Sequence, residues 1–185
     1  MNQLARELGY PLVVKPDAQG SSLGVTIVRE ESELAAALAN SFRLDDAVLL
    51  ERAIIGPEWT LAVLDDLPLP LIRIGTGRAF FDFQAKYQDD TTSYEVAPVV
   101  SRNLSAFLTG TGIAACRALG TQGIARVDMM VDSTGQPWVL EVNTIPGMTD
   151  HSLVPKAATH IGISMPDLCN LQLASALGLL QTNAA

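Results

Sequence analysis

Arg126, Asp128, Glu141 and Asn143 are the residues of this chain whose types and spacing can do chemistry. Trp138 to Val142 is apolar and β-branched enough to read as a buried strand, and Ile124 to Val131 reads as its partner across the turn Ser133-Thr-Gly135. Alternate side chains of a strand share a face. Glu141 and Asn143 therefore project together at the end of one strand, and Arg126 and Asp128 project together from the other. Such a hairpin gathers two carboxylates, an amide oxygen and a guanidinium in a small volume. Oxygen-only ligands suit Mg²⁺ or Mn²⁺, not zinc. A fixed arginine suits the negative charge that develops in phosphoryl or acyl transfer. The same residues also read as a salt-bridged hairpin, Arg126 to Asp128 or Glu141, with Asn143 starting a turn.

The bulk composition narrows the partners. With 185 residues, 48% of them hydrophobic and 17% charged, the chain has material for one domain or two small subdomains with a sizeable core. A net charge of −8 argues against nucleic acid and against an anionic membrane surface. An anionic substrate must then meet local positive charge, and there are only three lysines: Lys15, Lys86 and Lys156. Cys116 and Cys169 lack metal spacing and read as core thiols of a reducing compartment. No signal peptide and no membrane-spanning apolar run is visible, which points to the cytoplasm.

The elements that must position these groups follow in order. Met1 to Leu8 reads as helix closed by Gly9, and Leu12 to Val14 as a short buried strand ending in Lys15-Pro16. The loop Asp17 to Gly24, rich in glycine and hydroxyls, precedes a strand Val25 to Val28 and exposes backbone N–H groups suited to phosphate oxygens. It is neither a Rossmann fingerprint nor a Walker loop, and an ordinary hairpin loop would look similar. A helix is expected over Glu30 to Phe42, then strands at Ala47 to Leu50, Trp59 to Leu64, Leu69 to Ile74 and Ala79 to Phe83. Gln84 to Pro98 is polar and aperiodic, contains Lys86-Tyr87 and reads as a lid. Ser101 to Leu119 is an amphipathic helix with Gly110 and Gly112 weakening its middle. Helices Leu153 to Ile161 and Ser164 to Leu180 close the chain, the second with a Ser164 cap and Pro166 in its first turn. Trp59 and Trp138 read as core, and His151 and His160 as helix-start and surface residues.

In this order the pieces resemble the ATP-grasp part of a D-alanine–D-alanine ligase. The matching runs are Val14-Lys-Pro16, Gly20-Ser-Ser-Leu-Gly24, Leu50-Glu51 with Gly56-Pro-Glu58, Ala85-Lys-Tyr87, Arg126-Val-Asp128, Leu140-Glu-Val-Asn-Thr-Ile-Pro-Gly-Met-Thr149 and His151-Ser-Leu-Val-Pro155. The resemblance implies an α+β, ATP-grasp fold with an antiparallel sheet and flanking helices. Residues 1–57 would be a remnant of the small subdomain with the phosphate loop, and 58–185 the C-terminal subdomain with the metal and substrate sites. The family's N-terminal domain is expected to lie outside this chain.

The resemblance also implies roles. Lys15 would bind ATP phosphates, and Gly20, Ser21, Ser22 and Gly24 would close over them. The backbone of Glu51, Arg52, Ala53 and Ile54 would bond adenine, with Phe80 and Leu140 on its faces and Glu58 on the ribose. Lys86 would reach the γ-phosphate, while Ser21 and Tyr87 would tie loop to lid. Asp128, Glu141 and Asn143 would hold two Mg²⁺ or Mn²⁺ ions. Arg126 and the N–H of Gly147 would stabilise the tetrahedral adduct, and Ser152 and Leu153 would meet the second D-alanine. ATP and D-alanine would be the substrates of a ligase of peptidoglycan synthesis, and a homodimer would be its assembly. Arg52, Phe83, Gln84 and Ile145 depart from the usual family pattern without removing chemistry. Without the family's N-terminal part, the chain is expected to bind nucleotide weakly and not to ligate unaided. The rival readings are a non-catalytic nucleotide-binding or interaction module and another ATP-grasp amino-acid or peptide ligase, including D-alanine–D-lactate.

Overall fold

The computed structural model describes residues 2–75 and 92–179. These fall into two compact units, one of residues 2–54 and 92 and one of residues 55–75 and 93–179.

In the first unit, β1 (Leu12–Pro16) lies between β2 (Thr26–Val28) and β3 (Val48–Arg52), antiparallel to both. The helices α1 (Asn2–Leu8) and α2 (Glu31–Phe42) cover one face, because β1 buries Leu12 and Val14 by strict alternation. They join Val28, Ala5, Leu34, Ala37 and Leu38 in one core. The alternate set, Val13, Lys15, Ile27, Leu49 and Glu51, takes the other face.

The second unit is built on an antiparallel sheet. Its order is β7 (Ser93–Val96), β6 (Ile72–Gly75), β4 (Glu58–Leu64), β8 (Ile124–Val131), β9 (Pro137–Asn143), with the short β5 (Leu67–Pro68) also paired to β4. Of the expected strand Leu69 to Ile74 only the part from Ile72 is strand, running on to Gly75; Leu69 to Leu71 lie outside it, where Pro70 cannot donate to a ladder. The tail of the expected lid, Ser93–Val96, is β7, in register with β6. Its alternation of exposed and half-buried residues had read as aperiodic because only Tyr94 and Val96 face inward. The expected strand Ala79 to Phe83 and residues 84–91 of the lid lie outside the described residues.

One face of this sheet carries α3 (Arg102–Leu119), capped by the Ser101 hydroxyl on the Leu104 N–H and closed by left-handed Gly120. Leu108, Gly112 and Cys116, four apart, meet Trp59, Leu61, Val63, Ala125, Val127, Met129 and Val131. Among the described residues of this unit, the opposite face carries helices at one end. There α4 (Leu153–His160) and α5 (Met165–Ala176) pack Val154, Ala157, Ala158 and Leu168 over Ala62, Leu64, Ile72 and Ile124. Trp59 is in the core as expected, whereas Trp138 is 45% exposed and Cys169 is exposed. The reason is topological: β9 is an edge strand with Val139 and Leu140 also partly in solvent, so its apolar run is not a buried one.

Candidate active site

The other end of that second face holds the polar set. Along β8, Ile124, Arg126, Asp128 and Met130 point to one side, and each is paired across the ladder. Asp128 stands opposite Thr60 of β4 and Glu141 of β9, and Arg126 stands opposite Asn143. Cross-strand partners share a face, so Glu58, Thr60, Arg126, Asp128, Glu141 and Asn143 form one polar surface. Between Asp128 and Met129 the register shifts, because Leu140 is an extra residue in β9. The bulge keeps Glu141 opposite Asp128 while Val139 faces Met129. Simple alternation along the sequence could not show this.

The Asp128 carboxylate is 5% exposed yet accepts three hydrogen bonds. Arg126 grips it with two nitrogens, Nε to Oδ1 at 2.9 Å and Nη2 to Oδ2 at 2.7 Å. The hydroxyl of Thr60, 1% exposed, donates to Oδ1 at 2.6 Å. Charge-assisted, bidentate bonds of this kind fix both groups in one orientation. Glu141 is exposed, and Asn143 is half-buried with its Oδ1 accepting the Ile145 N–H at 3.0 Å. Both readings of the hairpin are therefore visible at once: an Arg126–Asp128 ion pair, an Asn143 turn, and an oxygen-rich face.

Beyond β9 the chain turns through Thr144 to His151. A Cβ added to Gly147 would stand 2.7 Å from Ser152 Oγ, so the two residues are in close approach and a side chain at 147 would push the Ser152 hydroxyl aside. Ser152 occupies the N-cap position of α4 without making a side-chain cap bond. Its hydroxyl instead takes the Thr149 N–H at 3.0 Å and meets Thr149 Oγ1 at 2.9 Å. Leu153 is half-buried against the α4–α5 core.

In the first unit, Lys15 Nζ lies 2.8 Å from the Glu51 carboxylate on the face away from the helices. The loop after β1 is a tight turn in which Ser21 and Ser22 take positive φ of 54° and 57°, followed by Gly24 at 76°. Its two ends are tied down by groups that motif reading passed over. Asp45 accepts the Ala18 N–H at 2.7 Å, and this backbone bond holds its carboxyl below the usual aspartate range. Ser41, fully buried, donates to the Gly24 carbonyl at 3.1 Å. Arg52 is exposed, and the Ala53 N–H is already bonded to the Pro11 carbonyl at 3.1 Å. Phe80, Lys86 and Tyr87 lie outside the described residues.

Among the described residues no three His, Cys, Asp or Glu side chains are arranged to hold an ion. Two carboxylates and an amide oxygen on one open face fit the other pattern, in which Mg²⁺ takes one or two carboxylates and completes its shell with phosphate oxygens and water.

Thr60 and the β8–β9 clip Asp132 are further residues that motif reading missed. The only signal for Thr60 is its position two after Glu58 in a strand, which puts both on the Asp128 face.

Comparison with known proteins agrees throughout the chain. The family model described as D-ala D-ala ligase C-terminus matches residues 1–173. A D-alanine--D-alanine ligase of Ectopseudomonas mendocina (strain ymp) is 49% identical over 164 residues, which are 89% of this chain and 52% of that protein. A crystal structure of D-alanine--D-alanine ligase from Bacillus anthracis superimposes with a TM-score of 0.84 at 41% identity, covering 96% of this chain and 58% of that one. The same organism's ligase complexed with ATP gives 0.81 at 37% identity, covering 94% and 55%. The chain spans about half the length of the curated relatives it matches.

Proposed function

The chain belongs to the D-ala D-ala ligase C-terminus family and has the ATP-grasp fold of those ligases, and from that premise we propose that it serves ATP-dependent ligation of two D-alanines. The observation that carries the reading is the register that puts Arg126, Asp128, Glu141 and Asn143 on one open face.

The reaction has two steps. A D-alanine carboxylate oxygen attacks the γ-phosphorus of ATP, releasing ADP and forming an acyl phosphate. The amine of a second D-alanine attacks the acyl carbon, its proton leaves, the C–O bond breaks and inorganic phosphate departs. Bound Mg²⁺ or Mn²⁺ supplies neutralisation of phosphate charge in the first step, and Asp128, Glu141 and Asn143 are the residues that would hold it. Arg126, oriented at two nitrogens by Asp128, is a preorganised positive group for the oxyanion of the second step. The Gly147 N–H would assist it, and Ser152 with Leu153 would position the second D-alanine. The small approach distance between Gly147 and Ser152 supports placing those roles together.

In the first unit, Lys15 and the Gly20 to Gly24 loop are read as phosphate-binding, and the Glu51 to Ile54 backbone as adenine-binding. The Ala53 N–H is bonded to the Pro11 carbonyl and Glu51 is paired with Val13 in the β1–β3 ladder, which turns the backbone groups of Arg52 to the outer edge of β3 for the task. Glu58, Phe80, Leu140, Lys86 and Tyr87 keep the roles the resemblance gives them. A cytoplasmic homodimer, as the resemblance implies, completes the reading.

Glu141 is the sharpest place to test it, because it is exposed and its change should spare the fold. Glu141→Gln is expected to abolish Mg²⁺-dependent ATP binding, followed by titration calorimetry, with the melting temperature unchanged. Equal Mg²⁺-ATP affinity in the variant would remove Glu141 from the metal set.

A further inference from the structure

The loop after β1 is read above as phosphate-binding, and its shape is imposed from outside it. Ser21 and Ser22 take left-handed backbone, φ 54° and 57°, which residues other than glycine keep where their surroundings over-determine it. Within the loop, the Leu23 N–H meets the Gly20 carbonyl at 3.1 Å and the Val25 N–H meets the Ser22 carbonyl at 3.3 Å. Such local bonds shape a turn without fixing where it stands. Ser41, Leu44 and Asp45, at the end of α2, supply that. Asp45 takes the Ala18 N–H on Oδ2 at 2.7 Å and the Ala47 N–H on Oδ1 at 3.3 Å. The Leu44 carbonyl accepts from Gln19 Nε2 at 3.1 Å. At the far end the Ser41 hydroxyl donates to the Gly24 carbonyl at 3.1 Å, and a Cβ on Gly24 would stand 2.5 Å from Leu44 Cδ1. None of these ties uses an atom of Gly20, Ser21 or Ser22.

From this we infer that Asp45 is a positioning residue for the nucleotide: with Ser41 at the opposite end, its carboxylate holds the loop in the shape that receives the ATP phosphates. The inference rests on the reading of Gly20 to Gly24 as phosphate-binding. Its consequence is preorganisation. A loop already held in its bound shape spares the ligand the cost of ordering it. A carboxylate on a backbone N–H makes a charge-assisted bond, stronger than one between neutral groups. That charge is engaged at the base of the loop, by Ala18 and Ala47, and not at its tip. Where the competent shape is populated only in part, the apparent affinity falls by that fraction. A loop that keeps its shape about a tenth of the time therefore binds about tenfold more weakly.

The test titrates this chain with Mg²⁺-ATP and follows amide hydrogen exchange over residues 17–25 by mass spectrometry. In the native chain exchange there is expected to slow as the nucleotide saturates. Asp45→Ala is expected to speed exchange over 17–25 without nucleotide and to weaken Mg²⁺-ATP binding about tenfold. Asp45→Asn keeps an acceptor oxygen in place and is expected to restore most of both. Exchange at Leu12–Val14, in the core of the same unit, stays native in each variant, which separates a displaced loop from a weakened fold. Ser41→Ala cuts the other tie and supplies the same arm if Asp45→Ala does not fold. Native or tighter affinity in the alanine variants overturns the role of Asp45. So does an equal loss in Asp45→Asn, which would assign the effect to charge, or a matching loss of protection at Leu12–Val14. The parent reading fails separately. If saturating Mg²⁺-ATP leaves exchange over 17–25 unchanged in the native chain, the loop is not phosphate-binding and the inference falls with it. If exchange slows in the native chain and Asp45→Ala alike, at equal affinity, only the inference fails.

Discussion

Asp128 joins the two problems a site must solve, holding its shape and presenting charge. At 5% exposure its carboxylate is supported by Arg126, whose side chain is 17% exposed, and by Thr60. Removing one partner of a buried ion pair leaves the other charge uncompensated, which costs about 3–5 kcal/mol. Asp128→Asn keeps the shape but not the charge, and Arg126 retains some water. A loss near the low end, about 3 kcal/mol, is expected in urea denaturation. A change within about 0.5 kcal/mol, the range of ordinary surface substitutions, would mean the pair contributes nothing to the fold. The chemistry-bearing residues themselves were legible in the sequence. Arg126 and Asp128, and Glu141 and Asn143, are spaced by two in strand-like runs, and two is the period of a strand face. Thr60 was not legible, because a threonine inside an apolar strand is common and only the β4–β8 register reveals what it touches.

At the scale of elements, helix α3 and the β8–β9 hairpin each show where sequence reasoning stops. Gly110 and Gly112 looked like equal weaknesses. A Cβ at Gly110 would meet nothing within 4 Å, whereas one at Gly112 would lie 2.5 Å from Cδ2 of the fully buried Leu61. Gly110→Ala is therefore expected to stabilise by about 0.5–1 kcal/mol through helix propensity. Gly112→Ala should destabilise by about 1–3 kcal/mol through overpacking. Melting curves of the two variants check the opposite signs, and shifts in the same direction would contradict the packing of α3 on β4.

The hairpin turn is clipped by Asp132. It accepts from the Thr134 hydroxyl at 2.6 Å, the Trp138 indole N–H at 2.8 Å, and the Thr134 and Gln136 backbone at 2.8 and 3.0 Å. The Thr134 hydroxyl first, then the indole, hold this carboxyl far below the usual aspartate value. A carboxyl depressed in the folded state lends stability above its unfolded value of about 3.9 and loses it as the pH falls toward the lower folded value. Acidification from about pH 5 to about pH 2.5, across that window, should thus lower the melting temperature of the native chain more than that of Asp132→Ala. Equal drops would show that the clip is not coupled to folding. The turn Ser133-Thr-Gly135 was visible in the sequence, but a core place for Trp138 was the wrong inference. An apolar run does not disclose whether its strand lies inside a sheet or at its edge.

Across the whole molecule the order of elements was the most legible feature, since turns, caps and periodicity are local. What local signals could not supply were the bulge at Leu140, the edge position of β9 and the ties from Ser41 and Asp45 to the loop after β1. All of these are set by contacts far apart in sequence. Under the proposed function this acidic chain, net charge −8, takes a polyanion as substrate, so local positive charge and bound cations would have to outweigh the overall field. The central claim is an acyl phosphate formed from D-alanine, and oxygen tracing reads it directly. D-alanine labelled with ¹⁸O in its carboxylate is incubated with ATP, Mg²⁺ and this chain, and in parallel with the chain fused to the remaining half of the Ectopseudomonas mendocina relative. Wherever D-alanyl-D-alanine forms, the account predicts that each released phosphate carries one ¹⁸O from the substrate, and that none does in Glu141→Gln. Dipeptide formation with phosphate that draws its oxygen only from ATP and water would contradict it, as would a fused protein that forms no dipeptide at all.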